Sequence, residues 1–182
     1  KQNTDKKLTS DQMTALKNIE IAQHQGKQKF LLYGVTGSGK TQIYIEMALK
    51  ARALGKQVLI LVPEIVLTGQ LVTSFKEYFT DDVAVIHSRL SVGERNDTFW
   101  RIRTTQVGII IGARSALFAP FEDLGLIVMD EEHDPSYKQD ESPRYHSHDI
   151  IEKMAEIYHA TLIMGSATPS LESYYKAQIG EY

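Results

Sequence analysis

Short runs of apolar residues alternate along this chain with longer segments in which apolar residues recur every three or four positions. The short runs predict strands, and the longer segments predict helices between them. The predicted strands cover residues 30–33, 58–62, 83–86, 107–111, 126–129 and 161–164. The predicted helices cover residues 40–53, 65–78, 91–103 and 147–158, with a first helix from Thr9 or Ser10 to before Gly26 and a last one starting at Thr168 and Pro169.

This alternation indicates the fold class. Strands rich in Val, Ile and Leu that alternate with helices usually form a mainly parallel sheet with helices on both faces. We therefore predict an α/β domain over residues 9–182, preceded by a flexible polar segment at residues 1–8. Ligands of such sheets bind beyond the carboxyl ends of the strands. Residues 132–147, directly behind one such end, are predicted to be one long irregular loop, and loops of this length are often functional.

Composition and charge exclude several classes of protein. The chain has 182 residues, 42% of them hydrophobic and 24% charged, which is typical of an ordinary globular domain. It has no cysteine, which excludes disulfides, thiolate metal sites and a cysteine nucleophile. With a net charge of −3 it lacks a large basic footprint for duplex DNA, although single strands can be held by a few placed groups. No apolar run is long enough for a membrane span, and we expect a cytoplasmic protein without a membrane partner.

The strongest motif follows the first predicted strand and opens a predicted helix. It reads Gly-Val-Thr-Gly-Ser-Gly-Lys-Thr, a complete phosphate-binding loop in the context that the motif requires. Its backbone N–H groups would surround the phosphates, Lys40 would reach the β and γ phosphates, and the Thr41 hydroxyl would bind Mg²⁺. The candidate nucleotide-binding residues of this loop are Gly34, Val35, Thr36, Gly37, Ser38, Gly39, Lys40 and Thr41.

Two further motifs follow later strands. Asp130-Glu131-Glu132-His133 comes after strand 126–129. An aspartate there can hold Mg²⁺, and the next carboxylate can orient or deprotonate a water. Alone this run would be a solvated acidic turn, but in a chain with a phosphate-binding loop it is better interpreted as part of the same site. In Gly165-Ser166-Ala167-Thr168-Pro169, hydroxyls can bridge to an acidic catalytic group, although Thr-Pro is also typical of a plain helix start.

These motifs resemble those of superfamily 2 helicases in order and approximate spacing. The segments that carry the resemblance are residues 34–41, VPEIVLT at 62–68, GARSALF at 112–118, DEEH at 130–133 and GSATPSLES at 165–173. More narrowly, DEEHDPSYKQDESPRYHSHD at 130–149 is similar to the bacterial replication-restart DNA helicases, the primosomal protein N′ family. The resemblance covers nearly the whole chain, from about Leu8 to Tyr182.

The resemblance implies a RecA-like lobe of a motor that uses ATP and Mg²⁺ to move 3′ to 5′ along single-stranded DNA. It implies single-stranded and forked DNA, other primosome proteins, single-strand-binding protein and the replicative helicase loader as partners. Asp130 would hold Mg²⁺ and Glu131 would be the catalytic base. Gln12 would read adenine, although an exposed glutamine at a helix start is common. His133, Ser166 and Thr168 would couple hydrolysis to movement.

The resemblance also implies the DNA contacts. Residues from Pro63 to Thr68, together with Arg114 and Ser115, would touch the DNA backbone. In similar helicases an aromatic-rich loop reports DNA binding to the ATP site, and here the loop contains Tyr137, Lys138, Arg144 and Tyr145. Aromatic and cationic groups together suit stacking on unpaired bases. The structural alternatives are that Pro63 ends a strand, that Arg114 pairs with the acidic loop, and that the tyrosines pack locally.

Several other expectations remain open to test. His133, His146 and His148 lie outside ordinary zinc-ligand spacing, so we predict no zinc site. Phe99 and Trp100 are predicted to pack in the core. Because the chain ends soon after the third motif, we expect the first motor lobe only, able to bind nucleotide but hydrolysing ATP poorly. Two alternative functions are another superfamily 2 repair or branch-migration translocase and a non-catalytic nucleotide-sensing module.

Overall fold

The computed structural model describes residues 7–67 and 69–182. Its strands are β1 (Lys29–Tyr33), β2 (Gln57–Leu61), β3 (Val83–Ile86), β4 (Ile109–Gly112), β5 (Leu124–Met129), β6 (Lys138–Gln139), β7 (Tyr145–His146) and β8 (Thr161–Ser166). Its α-helices are α1 (Ser10–His24), α2 (Lys40–Ala53), α3 (Gln70–Phe79), α4 (Val92–Arg103), α5 (Ser147–Tyr158) and α6 (Leu171–Gln178). None of the described helices is both long and apolar enough to cross a membrane.

Six strands form one parallel sheet in the order β1-β8-β5-β2-β4-β3. Strand β8 lies between β1 and β5, with Tyr33 opposite Ser166 and Met129 opposite Met164. The three motifs of the sequence follow these three strands. Because parallel strands end at the same edge of a sheet, the topology brings all three motifs to one place.

The sheet is buried on both faces, which explains its continuous apolar strands. Along β2, Val58 and Ile60 face a core formed with α1, α2 and α3, whereas Leu59 and Leu61 face a second core formed with α4 and α5. Alternate residues of a strand point to opposite faces, so every residue of β2 is buried. The predicted α/β fold with a parallel sheet is confirmed.

Three predicted elements differ in detail from the structure. The helix expected at 65–78 is a 3₁₀ turn at Glu64–Val66 followed by α3, which begins after Gly69. The last helix begins at Leu171, because the side chain of Ser170 accepts a hydrogen bond from the Ser173 N–H and caps it. The loop expected at 132–147 contains a 3₁₀ turn at Pro135–Tyr137 and an antiparallel hairpin of β6 and β7.

The prediction for Trp100 is wrong. Its side chain is 62% exposed, whereas Ile102 is the buried residue of α4. Two positions along a helix correspond to about 200°, so Trp100 and Ile102 lie on opposite faces. Phe99, three positions before Ile102, shares the inner face and is partly buried against the second core.

Candidate active site

A cavity of about 640 Å³ opens at the carboxyl edge of β1 and β5. Residues of the phosphate-binding loop, α1, α3 and the acidic motif line it together. They include Gln12, Thr36, Gly37, Gly39, Lys40, Thr41, Gln70, Ser74, Asp130 and Glu131. Most of the sequence-predicted nucleotide and Mg²⁺ residues therefore line one space, whereas Gly34, Val35 and Ser38 are not part of its wall.

The phosphate-binding loop joins β1 to α2. Residues 35–38 are exposed, and Gly37 and Gly39 have φ of 80° and 84°, values that glycine adopts without steric cost. Within the described residues no side chain caps the start of α2, which leaves N–H groups of its first turn available to an anion. The buried Lys40 donates from Nζ to the carbonyl of Gly34 at 2.7 Å, which holds the ammonium beside the loop.

Gln12 belongs to a helix cap that touches this loop. Its Oε1 accepts from the Thr9 N–H at 2.9 Å, and its Nε2 donates to the carbonyl of Gly39 at 3.2 Å. The residue is 8% exposed, so the alternative of an exposed helix-start glutamine is wrong. A side-chain Cβ at position 39 would overlap with the Gln12 amide, which is a second reason for glycine there. Adenine contact by Gln12 stays a prediction.

Asp130 is held at the end of β5. Its backbone N–H donates to the carbonyl of Leu61 at 2.8 Å, and its Oδ1 accepts from the Tyr44 hydroxyl at 2.8 Å. Burial raises the pKa of Asp130, while the hydrogen bond from Tyr44 acts in the opposite direction. An oriented carboxylate and the Thr41 hydroxyl in the same cavity are the oxygen donors that Mg²⁺ prefers, so these residues fit the ion.

Glu131 has a backbone φ of 48°, which is uncommon for a residue with a side chain. Such conformations cost about 1–3 kcal/mol and cluster at functional sites. This turn places Glu131 in the cavity wall beside Asp130, with its carboxylate 3.8 Å from His133 Nδ1.

The third motif contacts the acidic motif directly. His133 Nδ1 lies 2.7 Å from the buried Ser166 Oγ, which also accepts from the Thr168 N–H at 3.0 Å. The N–H of Glu132 donates to the carbonyl of Gly165, and the N–H of Gly34 donates to the carbonyl of Ser166. The end of β8 is therefore hydrogen-bonded to both the acidic motif and the phosphate-binding loop.

With this geometry in view, comparison with known proteins decides the family. The family model of the DEAD/DEAH box helicases matches residues 9–177. The chain belongs to the DEAD/DEAH box helicase family. A helicase of this family uses ATP and Mg²⁺, in agreement with the loop and carboxylates described above.

Among individual proteins, this helicase chain is similar to replication restart protein PriA. It is 51% identical to PriA of Bacillus subtilis over 176 residues, which are 96% of this chain and 22% of that protein. It is 47% identical to PriA of Haemophilus influenzae, covering 99% of this chain and 25% of that protein. The chain thus spans about a quarter of the length of these curated relatives.

Solved helicase structures share the fold. RecG bound to a three-way DNA junction matches with a TM-score of 0.69 and 25% identity, covering 96% of this chain and 23% of RecG. The Sulfolobus solfataricus SWI2/SNF2 ATPase core in complex with double-stranded DNA matches with a TM-score of 0.60 and 17% identity, covering 90% and 32% of the two chains. The expected RecA-like lobe of a helicase is confirmed.

Glu132 has a role in this helicase lobe that the sequence did not indicate. It is buried, and its carboxylate accepts hydrogen bonds from His148 Nε2, the backbone and hydroxyl of Ser170, and the hydroxyl of Ser173, at 2.7–3.0 Å. Burial by itself would raise the pKa of Glu132, but these hydrogen bonds lower it to about 2. Glu132 therefore fastens the acidic motif to the starts of α5 and α6.

Tyr137 requires a correction. It was predicted to stack on DNA, but the residue is 1% exposed and its hydroxyl donates to the backbone carbonyl of Asp130 at 2.6 Å. The Ser147 hydroxyl donates to the carbonyl of Tyr137, which fixes it to α5. The local-packing alternative is correct for this tyrosine, and stacking on a base through its ring is excluded in this conformation.

A second cavity, of about 550 Å³, lies beside the hairpin of β6 and β7. Several predicted DNA residues meet there. Its walls include Glu64, Ser88, Arg95, Arg114, Ser115, Phe118, Gln139, Pro143 and Tyr145. Tyr145 packs edge-on against Phe118 with ring centroids 5.5 Å apart, and the Arg114 guanidinium lies 6.0 Å from the Tyr145 ring centroid.

The remaining predicted DNA residues occupy different positions. Arg114 donates to the backbone carbonyl of Lys138, so it pairs with the hairpin through a carbonyl rather than through an acidic side chain. Lys138 and Arg144 are exposed on the hairpin, where the Lys138 ammonium lies 3.2 Å from Asp140 and Arg144 donates to the Asp140 carbonyl. Thr68 lies outside the described residues.

Pro63 is a second correction. It is buried where β2 ends and a 3₁₀ turn begins, so its side chain does not reach a DNA surface.

Arg95, by contrast, was missed by the sequence reasoning. It lines the second cavity from the first turn of α4, and within the described residues its buried Nε has no hydrogen-bond partner. The only signal in the sequence was its place four residues after the capping Ser91.

The histidines do not form a metal cluster in the described part of the chain. There, no group of three or more His, Cys, Asp or Glu side chains is arranged to hold a metal ion. His148 instead donates from Nε2 to Glu132, and its Nδ1 lies 3.0 Å from His146 Nδ1.

Proposed function

We propose that residues 9–182 are the ATP-binding lobe of a 3′-5′ DNA helicase that restarts stalled replication forks. The observation that carries the proposal is the meeting of three motifs at the ends of β1, β5 and β8, in a chain 40–51% identical to PriA proteins. The place of action would be the bacterial cytoplasm, at the nucleoid. Its partners would be single-stranded and forked DNA, other primosome proteins, single-strand-binding protein and the loader of the replicative helicase.

The motif residues of the cleft have proposed tasks. The N–H groups of residues 34–41 and the Lys40 ammonium bind the phosphates of ATP or ADP, and Gln12 contacts the adenine. Thr41 and Asp130 hold Mg²⁺, which neutralises charge on the phosphates when it is bound. The Lys40 ammonium has three N–H donors, so it can keep its 2.7 Å hydrogen bond to the Gly34 carbonyl while it contacts a phosphate.

Glu131 is the proposed base that accepts a proton from the attacking water. Its neighbour His133, bonded to Ser166, links that base to the end of β8. Ser166 and Thr168 would pass a change at the phosphates on to the rest of the motor, because Ser166 touches the acidic motif on one side and the Thr168 backbone on the other. A motor of this class receives an arginine from a second lobe, which is where we place the rest of the catalytic machinery.

The proposed DNA surface is the second cavity and its hairpin. Arg114, Ser115 and Tyr145 line the cavity, and Lys138 and Arg144 lie exposed on the hairpin. We add Arg95, which lines the same cavity and whose guanidinium charge can pair with a phosphate. Contact with Thr68 stays part of the proposal on sequence grounds. Tyr137, which joins the hairpin to the Asp130 carbonyl, would carry the signal of DNA binding to the ATP site.

The test is calorimetric titration of ADP in the presence of Mg²⁺. The wild-type chain should bind one ADP, and Lys40→Ala should weaken that binding strongly because the phosphates lose their cation. Lys50→Ala is the matched control, since Lys50 lies on the same helix but pairs with Glu20 away from the cleft. A folded wild type that does not bind ADP, or a Lys40→Ala variant that binds as tightly, would contradict the proposal.

A second candidate is a translocase that acts on branched DNA junctions. The likeness to RecG, whose structure holds a three-way junction, favours it. The two candidates separate in one assay of the full-length chain, in which ATP hydrolysis is measured with forks, three-way junctions and Holliday junctions at equal concentration. Stronger stimulation by forks supports the restart helicase, and stronger stimulation by Holliday junctions supports the junction translocase.

A further inference from the structure

The fully buried Tyr44 lies on α2, the helix that carries Thr41, and contacts Asp130, the other Mg²⁺ candidate. It follows Lys40 by four residues, so the two share a face of α2. Its hydroxyl donates to Oδ1 of Asp130 at 2.8 Å, across from α2 to the end of β5. Tyr44 was not among the candidates from the sequence. A tyrosine on the apolar face of a helix is expected to pack in the core, and the sequence does not show that its hydroxyl has a specific partner.

Gly165 makes room for this hydroxyl. It precedes Ser166 at the end of β8, and a Cβ built at position 165 would overlap with the Tyr44 oxygen and lie 3.4 Å from Asp130 Oδ1. The strand therefore has no side chain at the one point where the tyrosine passes between α2 and β5. Tyr44, Gly165 and Asp130 come from three elements that also carry the phosphate-binding loop and the two later motifs.

The hydrogen bond restricts the orientation of the Asp130 carboxylate. Without it, the carboxylate could turn about its Cβ–Cγ bond; with Oδ1 fixed to a rigid, buried ring, the group keeps one orientation toward the cavity. Residues that hydrogen-bond to metal ligands set the direction of those ligands and affect metal affinity about 10–100-fold. The same bond ties the end of β5 to the helix that presents Thr41.

We propose that Tyr44 is a positioning residue for Mg²⁺. Its hydroxyl holds the Asp130 carboxylate in place, and the lack of a side chain at Gly165 leaves the space for that hydroxyl. This inference rests on the proposed function of Asp130 as a Mg²⁺ ligand. Tyr44 does not contact the nucleotide. Its effect is confined to binding that depends on the metal.

The experiment compares ADP binding with and without Mg²⁺ in the full-length protein that contains this chain and in its Tyr44→Phe variant. Phenylalanine keeps the ring and removes only the hydroxyl. In EDTA, we expect wild type and Tyr44→Phe to bind ADP with equal affinity. Mg²⁺ should increase the ADP affinity of both proteins, but the variant should need an approximately tenfold higher Mg²⁺ concentration to reach half of that increase. Mn²⁺ bound together with ADP, counted by the loss of the free-ion paramagnetic resonance signal, gives a second readout and should weaken by a similar factor.

Tyr158→Phe is the matched control. Tyr158 also donates its hydroxyl to an oxygen, the carbonyl of Phe121, but on α5 and away from the cavity. It should leave both the Mg²⁺ and the Mn²⁺ dependence unchanged. Thermal unfolding of both variants shows whether either one loses its fold, and the EDTA affinity for ADP reports separately on the phosphate-binding loop.

Asp130→Asn separates failure of this inference from failure of the proposed function. If Asp130→Asn removes the Mg²⁺ effect and Tyr44→Phe leaves it unchanged, the role of Tyr44 is refuted while that of Asp130 stands. If Tyr44→Phe weakens ADP binding equally with and without Mg²⁺, the tyrosine is only structural and the inference is also refuted. If Asp130→Asn keeps the full Mg²⁺ effect, both assignments are refuted.

Discussion

At the scale of single residues, the acidic motif divides four adjacent side chains among four environments. Asp130 lines the cavity and is held by a buried tyrosine, and Glu131 turns into the cavity through a left-handed backbone. Glu132 faces the interior and fastens two helices, whereas His133 reaches the end of β8. Neighbours of similar chemistry therefore have different tasks because the backbone turns between them.

Glu131→Gln should slow DNA-stimulated ATP hydrolysis by the full-length chain about 10²–10⁴-fold, since a glutamine cannot accept a proton from water. ADP affinity should change little, because the amide keeps the size of the carboxylate and the phosphate-binding loop is untouched. Steady-state hydrolysis and calorimetry measure the two effects. Hydrolysis at the wild-type rate would show that Glu131 is not the catalytic base.

Glu132→Gln should lower the free energy of unfolding at pH 7 by about 2 kcal/mol, because the amide leaves some of the donors from His148, Ser170 and Ser173 unpaired. The folded-state pKa of Glu132, about 2, lies below the usual value of 4.5. The carboxylate therefore stabilises the fold above about pH 5, and this contribution is lost as the pH falls toward 2.

Urea unfolding at a series of pH values checks this expectation. The difference between wild type and Glu132→Gln should shrink as the pH falls from about 5 to 3. Glu141→Gln, which changes an exposed carboxylate on the hairpin, is the control and should leave stability nearly unchanged. A constant difference across this range would show that the charge of Glu132 does not contribute.

At the scale of elements, the hairpin of β6 and β7 connects the two cavities. On the side of the second cavity, Arg114 donates to the Lys138 carbonyl and Phe118 packs against Tyr145 of the hairpin. On the other side, Tyr137, directly before β6, donates to the Asp130 carbonyl. Two-residue strands are too short to show a period in the sequence, which is why this segment was predicted as an irregular loop.

Arg95→Ala and Arg114→Ala should each weaken binding of single-stranded DNA by the full-length chain. If each arginine neutralises one phosphate, each variant should reduce the slope of log affinity against log salt concentration by about 0.7. Arg103→Ala is the control, because Arg103 lies at the far end of α4 and its guanidinium is 3.9 Å from Glu122.

Fluorescence anisotropy with a labelled oligonucleotide at four or more salt concentrations measures these slopes. Equal slopes for wild type and both variants would show that the second cavity does not bind DNA phosphates. A reduced slope for Arg103→Ala as well would show that the effect of charge is not specific to this cavity.

At the scale of the whole molecule, the functional residues that could be predicted from the sequence are those that belong to contiguous motifs. The phosphate-binding loop and the acidic motif are contiguous, and their positions after β1 and β5 follow from the apolar runs before them. The roles of Glu132 and Tyr44 depend on partners far along the chain, and that of Tyr137 depends on a backbone carbonyl seven residues before it. The residues around Tyr137 in the sequence are compatible with either a buried or an exposed ring. Only the structure, in which its hydroxyl donates to the Asp130 carbonyl, shows that the tyrosine is buried.

The 182-residue chain by itself should bind ADP with Mg²⁺ but turn over ATP about 10³-fold or more slowly than the full-length protein with DNA. The reason is that an arginine supplied by another domain contributes about 10³–10⁵ in rate in related phosphoryl-transfer enzymes. Calorimetry and a coupled hydrolysis assay on the same preparation test both parts. Turnover of tens per second by this chain would contradict the expectation.

The position of β8 determines when the cleft can form during synthesis. It is the last strand of the sheet in chain order, yet it lies between β1 and β5 and is hydrogen-bonded to both motifs that follow them. A nascent polypeptide that ends before residue 161 has the phosphate-binding loop and the acidic motif but no strand to hold them side by side. We therefore expect competence to bind ATP with Mg²⁺ only after β8 has been synthesised and has taken its place between β1 and β5.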